Sequence, residues 1–352
     1  MLRDYEELPT DELFARIRRA KEQLGDDLII LGHHYQRDDV LQFADFRGDS
    51  LELAQIAAQQ HRARYIIFCG VDFMAETAAV LCAPDQTVIL PEAEAFCPMA
   101  MMSTGDEANQ AWEMLSDLWG GDLLPITYQN SLAEVKALCG RKGGAVCTSA
   151  NAEPIFRWAL AQKEHLLFFP DEHLGRNTAL AIGIPEEKIA LWDPADPKMS
   201  LKRAPGAKVV IWKGMCYVHT RFTVAHIHEI RKRHRDIMII VHPECPAEVV
   251  RAADQSGSTS TIIRVVAAAA PGAKIAIGTE INLVQRLADK YPDKTIGPLA
   301  LSLCRTMHLT TPQHLYAVLD ALTAGRTVDR VTVSPEIARW ARIALERMLT
   351  VK

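Results

Sequence analysis

The run Asp27-Leu28-Ile29-Ile30-Leu31-Gly32-His33-His34-Tyr35 is a block of consecutive apolar residues closed by a glycine and three ring-bearing polar side chains. Apolar residues without alternation mark a short strand covered on both faces, here Asp27–Leu31. An amphipathic helical pattern, Asp11–Leu24, precedes it, and another, Ser50–Gln60, follows. Strand Tyr65–Cys69, helix Met74–Leu81 and strand Thr87–Leu90 continue the alternation, which is the pattern of parallel strand–helix–strand units.

The same order recurs twice. Strand Leu123–Thr127 runs into Tyr128-Gln129-Asn130, and helix Ser131–Leu138 leads to strand Gly144–Thr148, which ends in Ser149-Ala150-Asn151. Helix Glu153–Gln162 and strand Leu166–Phe169 close that round. The third opens with helix Thr223–Arg233 and strand Asp236–Val241, ending in His242-Pro243-Glu244. Helix Ala247–Asp254, strand Lys274–Ile277 and helix Asn282–Lys290 complete it. The expected fold class is therefore α/β, built as three pseudosymmetric αβα units, each a three-layer parallel-sheet domain, around a central site. The expected divisions are 1–105 (N-terminal helix and Cys97), 106–200, 201–305 (Cys216 at its start, Cys304 at its end) and 306–352, two C-terminal helices closing on the core. Asp193–Arg203, rich in Pro, Asp and Lys, reads as the linker between the second and third units. A single doubly wound sheet without internal symmetry is the alternative.

The 352 residues are 49% hydrophobic and 24% charged, which excludes disorder and coiled coil. No apolar run reaches the ~20 residues of a membrane span, and the acidic N-terminus offers no apolar signal-peptide core. A net charge of -5 argues against nucleic acid as a partner, because phosphate backbones attract basic surfaces. The chain reads as a water-soluble, cytoplasmic protein.

Ligands of open α/β sheets sit beyond the carboxyl ends of parallel strands. His33, His34, Tyr35, Tyr128, Asn130, Ser149, Asn151, Asp171, His242 and Glu244 all fall there. Three helix starts also carry hydroxyls: Ser50, Ser149, and Ser258 with Thr259. Helix N-termini favour carboxylate or phosphate, although plain capping would use the same residues.

None of the eight cysteines forms a C-x-x-C pair, so the zinc-ribbon and dithiol readings lose their support. Cys69, Cys82, Cys139 and Cys147 read as buried thiols, and Cys245 stays ambiguous beside Glu244. Cys97, Cys216 and Cys304 each follow a unit's last strand, in a loop. Three thiolates without a fourth are what a [4Fe–4S] cluster with one open iron requires.

Taken in order, these residues resemble the quinolinate synthase family from about Ile29 to Met307. The resemblance rests on Gly32-His33-His34-Tyr35-Gln36, Gly48-Asp49-Ser50-Leu51-Glu52, Phe73-Met74-Ala75-Glu76-Thr77, Tyr128-Gln129-Asn130 and Cys147-Thr148-Ser149-Ala150-Asn151. It continues through Pro170-Asp171-Glu172-His173-Leu174-Gly175, Trp212-Lys213-Gly214-Met215-Cys216, His219, Val241-His242-Pro243-Glu244-Cys245 and Gly257-Ser258-Thr259-Ser260. Asp72, Pro98, Asn282 and His308 depart from it, standing where histidine, serine, glycine and lysine are expected.

The resemblance implies a [4Fe–4S] cluster on Cys97, Cys216 and Cys304. It implies condensation of iminoaspartate (iminosuccinate) with dihydroxyacetone phosphate to quinolinate, losing phosphate and water, in NAD biosynthesis. A functional link to L-aspartate oxidase goes with it. Substrate positions carried over are His33, Ser50, Tyr128, Asn130, Ser149, His242, Glu244 and Thr259, with Gln129 and Pro243 in the same turns. Glu244 is the expected general base; Tyr35, His33 and His242 complete the catalytic set. Two competing readings are a zinc-dependent hydrolase using His33, His34, His219, His242 and Glu244, and a non-enzymatic iron–sulfur sensor.

Overall fold

The computed structural model describes Tyr5 and residues 7–351. Three parallel sheets organise the chain, as expected. The first contains β1 (Leu28–His33), β2 (Phe46–Gly48), β3 (Tyr65–Cys69) and β4 (Thr87–Ile89), in the order β2-β1-β3-β4. The second contains β5 (Leu123–Tyr128), β6 (Ala145–Cys147), β7 (His165–Phe169), β8 (Ile189–Trp192) and β9 (Val209–Trp212), in the order β6-β5-β7-β9-β8. The third contains β10 (Met238–Val241), β11 (Gln255–Ser256), β12 (Lys274–Gly278) and β13 (Thr295–Pro298), in the order β11-β10-β12-β13. In each sheet the first strand pairs on both sides, with a later strand at each flank. β1 is buried at every position, as a strand with helices on both faces must be.

The chain forms two compact units, 1–97 with 303–333, and 98–302 with 334–352. In the first, Ile30, Ile67 and Ile89 of the sheet pack with Ile17 of helix Thr10–Leu24 and with Leu315 and Leu319 of helix Pro312–Thr323. The second unit holds the other two sheets. There helix Pro335–Thr350 lies along helix Ala133–Arg141, and a Cβ at Gly140 would occupy the position of the Trp340 carbonyl. Arg347 fixes the same contact by donating to the Gly144 carbonyl at 2.6 Å.

One expectation is corrected. Asp193–Arg203 is no linker: Pro197–Arg203 is a helix between β8 and β9, with Pro197 in its first turn and Asp196 accepting from the Met199 N–H at 3.1 Å. Proline is pre-set for that position, so the residues that looked like a break start a helix. The middle sheet thus takes its strand β9 from beyond residue 200. No helix among the described residues is long and apolar enough to cross a membrane.

Candidate active site

In the second unit, β5, β6 and β10 end in the polar turns singled out above. Tyr128 is the last residue of β5, and the next N–H, of Gln129, donates to the Cys147 carbonyl at 2.7 Å, tying the ends of β5 and β6 together. Lys136, fully buried, donates from Nζ to the Ser131 carbonyl at 2.6 Å and holds the same turn from below. After β6, Asn151 Oδ1 accepts from the Thr148 N–H at 2.7 Å, and the intervening turn presents Ser149. The Gln129 Oε1 and Asn130 Oδ1 atoms are buried and have no hydrogen-bond partner among the described residues. Orphaned buried acceptors of this kind mark where a ligand's donors are due.

Beyond β10, His242 and Glu244 are both buried. Glu244 Oε2 lies 2.9 Å from His219 Nδ1 and 3.1 Å from His242 Nδ1. The two imidazoles stack, with centroids 4.4 Å apart and planes 18° off parallel. Their far nitrogens meet hydroxyls: His219 Nε2 is 3.1 Å from Thr279 Oγ1, and His242 Nε2 is 3.2 Å from Ser149 Oγ. With Glu244 ionised, His219 Nδ1 donates to Oε2, while His242 Nδ1 faces both Oε2 and the Glu244 N–H at 3.4 Å and carries its proton in the tautomer that pairs with the carboxylate. A continuous chain results, Thr279–His219–Glu244–His242–Ser149.

Burial pushes the Glu244 carboxyl up, but His219 and then His242 outweigh it and hold the group well below the usual carboxylate range. Asp171, also buried, moves the other way: burial raises it first, and the nearby Glu244 charge adds to that. Glu244 Oε1 is buried without a partner among the described residues. Cys216 Sγ, His219 and Glu244 bring ligand atoms within 4.8 Å of one another, so this cluster could hold a metal ion. Beside it a cavity of about 460 Å³ is lined by Ser149, Glu153, Asn177, Thr178, Pro243 and Ser256, a volume within the range of small-molecule sites.

In the first unit, His33 ends β1, and its ring meets Tyr35 edge to face at 4.8 Å and 86°. His33 Nδ1 accepts from the Tyr35 N–H at 3.1 Å, fixing the pair's geometry. Ser50 is the first residue of helix Ser50–Gln59, but the cap is Asp49, which accepts from Leu51 and Glu52 N–H. The helix that begins at Thr259, in the second unit, is capped by Ser258. Ser258 is thus the cap that the plain reading allowed, while Ser50 and Thr259 do not cap their helices. Of the zinc hydrolase's ligand set, His219, His242 and Glu244 come together in the second unit, whereas His33 and His34 belong to the first.

The cysteines divide by burial. Cys69, Cys82, Cys139, Cys147 and Cys245 are buried, whereas Cys97, Cys216 and Cys304 are half-buried. Burial pushes the Cys69 thiol up to about 12 and raises Cys139, Cys147 and Cys245 as well. Sequence alone places His219 and Lys136 among the residues of the resemblance, gives His219 a role only in the zinc reading, and gives Lys136 and Thr279 none. His219 could have been suspected from its place three residues after Cys216; Thr279 carried no signal.

The sequence profile of the family described as "Quinolinate synthetase A protein" matches residues 15–350. The quinolinate synthase of Anoxybacillus flavithermus is 49% identical over 348 residues, covering 98% of this chain and 95% of that protein. The quinolinate synthase of Corynebacterium glutamicum is 48% identical over 353 residues, covering 99% and 90%. That of Halalkalibacterium halodurans is 49% identical over 348 residues, covering 98% and 95%. With the fold, the strand-end residues and near full-length likeness in agreement, the chain belongs to the quinolinate synthetase A family and is an enzyme of the quinolinate synthase kind.

Proposed function

We propose that this enzyme condenses iminoaspartate with dihydroxyacetone phosphate to quinolinate, with loss of phosphate and water, using a [4Fe–4S] cluster held by Cys97, Cys216 and Cys304. The donor chemistry fits. Iron–sulfur clusters take thiolates, and these three cysteines are the half-buried ones among the described residues, while burial disfavours the thiolate of the other cysteines resolved above. When bound, such a cluster supplies a Lewis acid at the iron that no cysteine holds.

The observation that carries the proposal is the buried chain Thr279–His219–Glu244–His242–Ser149 beside Cys216. Condensation to an aromatic ring demands repeated proton removal next to carbonyl and imine groups, and protonation of departing hydroxide. A carboxylate as strongly stabilised as Glu244 is a weak base. In our reading it acts through His242: the charge on Oε2 stabilises the imidazolium formed when Nε2 takes a substrate proton. His33 and Tyr35 form the corresponding acid–base pair in the first unit. Ser50, Ser149 and Thr259, with Tyr128, Gln129, Asn130 and Pro243, bind the carboxylate and phosphate groups of the substrates. Glu244 Oε1 and Asn130 Oδ1 receive substrate donors. Cytoplasmic location, and supply of the imine by an L-aspartate oxidase that oxidises aspartate, complete the proposal.

The zinc reading has one observation in its favour, the grouping of Cys216, His219 and Glu244. A metal there would compete with the imidazoles for the Glu244 carboxylate. Metal analysis of protein purified without oxygen separates the readings: iron with sulfide is expected, and zinc alone would reject the cluster. Incubation of the iron-replete protein with both substrates must then yield quinolinate; failure to form it would reject the reaction and favour a sensor.

A further inference from the structure

All three sheets tie a cysteine loop to the turn after one strand, and they do so by the same bond. After β3, β7 and β12 a helix begins, and an N–H of its first turn donates to the carbonyl two residues before a candidate ligand. Asp72 N donates to Ala95 O at 2.9 Å, Glu172 N to Gly214 O at 2.8 Å, and Ile281 N to Ser302 O at 2.8 Å. Cys97, Cys216 and Cys304 stand two residues further along the chain.

An acid sits at each of these turns: Asp72, Asp171 and Glu280. In two of them the carboxylate reaches the cysteine's own backbone. Asp72 Oδ1 accepts from the Phe73 N–H at 2.8 Å and from the Cys97 N–H at 3.0 Å. Asp171 accepts from the Leu174 N–H at 2.5 Å, and the Cys216 N–H lies close enough to favour its ionised form. Glu280 accepts from the Asn282 N–H at 2.8 Å, on its own helix. Capping alone would require only the helix's own N–H groups. The added donor in the first case comes from a loop 25 residues away, and a carboxylate is the strongest common acceptor for it.

We propose that Asp72 and Asp171 are positioning residues, whose carboxylates hold the backbone at Cys97 and Cys216 in the arrangement that presents each sulfur to the cluster. The inference rests on the reading of these cysteines as ligands. In this role each acid acts through the cysteine beside it. Partners of metal ligands in this outer position are worth roughly 10–100-fold in metal affinity.

The test compares Asp72→Asn, Asp72→Ser and Asp72→Ala with the parent and with Cys97→Ala, all reconstituted with iron and sulfide without oxygen. Asparagine keeps an acceptor of the same reach, whereas serine keeps a polar side chain at the helix start but is too short to meet the Cys97 N–H. Iron and sulfide per chain are measured, together with the rate of iron loss to 2,2′-bipyridine. Melting of the metal-free proteins checks that each variant folds. Asp72→Asn is expected to match the parent, while Asp72→Ser and Asp72→Ala lose iron about 10-fold faster. Parent-like iron retention in folded Asp72→Ser overturns the proposal, as does loss from Asp72→Asn as fast as from Asp72→Ala. A full cluster in Cys97→Ala would instead reject the ligand reading beneath it.

Discussion

Glu244→Gln tests the reading of the buried relay, because it removes a charge and little else. The amide oxygen can still face His219 and His242, whose Nδ1 atoms now lie 2.9 and 3.1 Å from Oε2. What disappears is the attraction between the carboxylate and an imidazolium forming at His242. Two unit charges about 4 Å apart interact by roughly 4 kcal/mol at an effective dielectric constant of ~20. At 1.36 kcal/mol per factor of ten, that corresponds to a fall of about 10³ in turnover. The other substrate-binding side chains are untouched, and the amide keeps the shape of the carboxylate and an oxygen to accept with, so KM should change less than kcat. Removing a buried charge also relieves its desolvation, so the variant should fold and keep its iron. The assay is quinolinate formation by protein matched for iron content. Parent-like kcat in iron-replete Glu244→Gln refutes the relay. Loss of iron along with activity would instead make Glu244 a metal ligand, as its grouping with Cys216 and His219 allows.

Four further outcomes are expected. Cys97→Ala, Cys216→Ala and Cys304→Ala should each fail to hold a cluster, measured as iron and sulfide per chain, whereas Cys69→Ala and Cys147→Ala should keep it; an intact cluster in Cys304→Ala would remove the third ligand. Alkylation of metal-free protein at neutral pH, followed by peptide mass mapping, should modify Cys97, Cys216 and Cys304 well before Cys69, Cys139, Cys147 and Cys245, whose thiols burial raises. Ser149→Ala, which removes the hydroxyl 3.2 Å from His242 Nε2, should raise KM by about tenfold, the effect of one hydrogen bond worth ~1.4 kcal/mol, while leaving iron content alone. Gly140→Ala should cost about 1–3 kcal/mol in denaturant unfolding, because its Cβ would meet the Trp340 carbonyl; an unchanged midpoint would mean that helix Pro335–Thr350 does not need so close an approach.

The strands carrying the strand-end chemistry were legible because each is a solid apolar block with a polar residue at its end. Leu28–Leu31, Leu123–Leu124 and Ile239–Val241 have nowhere to go but a sheet covered on both faces. β8 was missed for the opposite reason, and β9, though buried at every position, for what precedes it. β8, an edge strand, is only alternately buried, and between the two lies a proline that reads as a break until Asp196 is seen capping the helix it starts. The helix-start hydroxyls stand where the sequence puts them, and a shift of one residue decides which side chain caps: Asp49 rather than Ser50, and Ser258, already named beside Thr259. His219 and Glu244 are 25 positions apart along the chain, so their 2.9 Å contact belongs to the fold and to no local pattern.

The repeated tie between helix start and cysteine loop gives a physical reason for the spacing of the three candidate ligands to match no short motif. A backbone N–H to carbonyl bond makes no demand on side-chain functional groups, so it recurs at Ala95, Gly214 and Ser302, which share small size and no chemistry. It holds each loop at the end of its strand whatever the length of chain between. From β3 to Cys97 the chain has room for a helix and β4; from β7 to Cys216 it accommodates two helices and two strands. Loop length costs little entropy once the ends are fixed, so the second unit could lengthen without moving its cysteine relative to β7. What these bonds set is the distance from a strand end to the carbonyl two residues before each cysteine. Side chains enter where the backbone bond alone leaves the loop free to pivot, and there, at Asp72 and Asp171, an acid recurs.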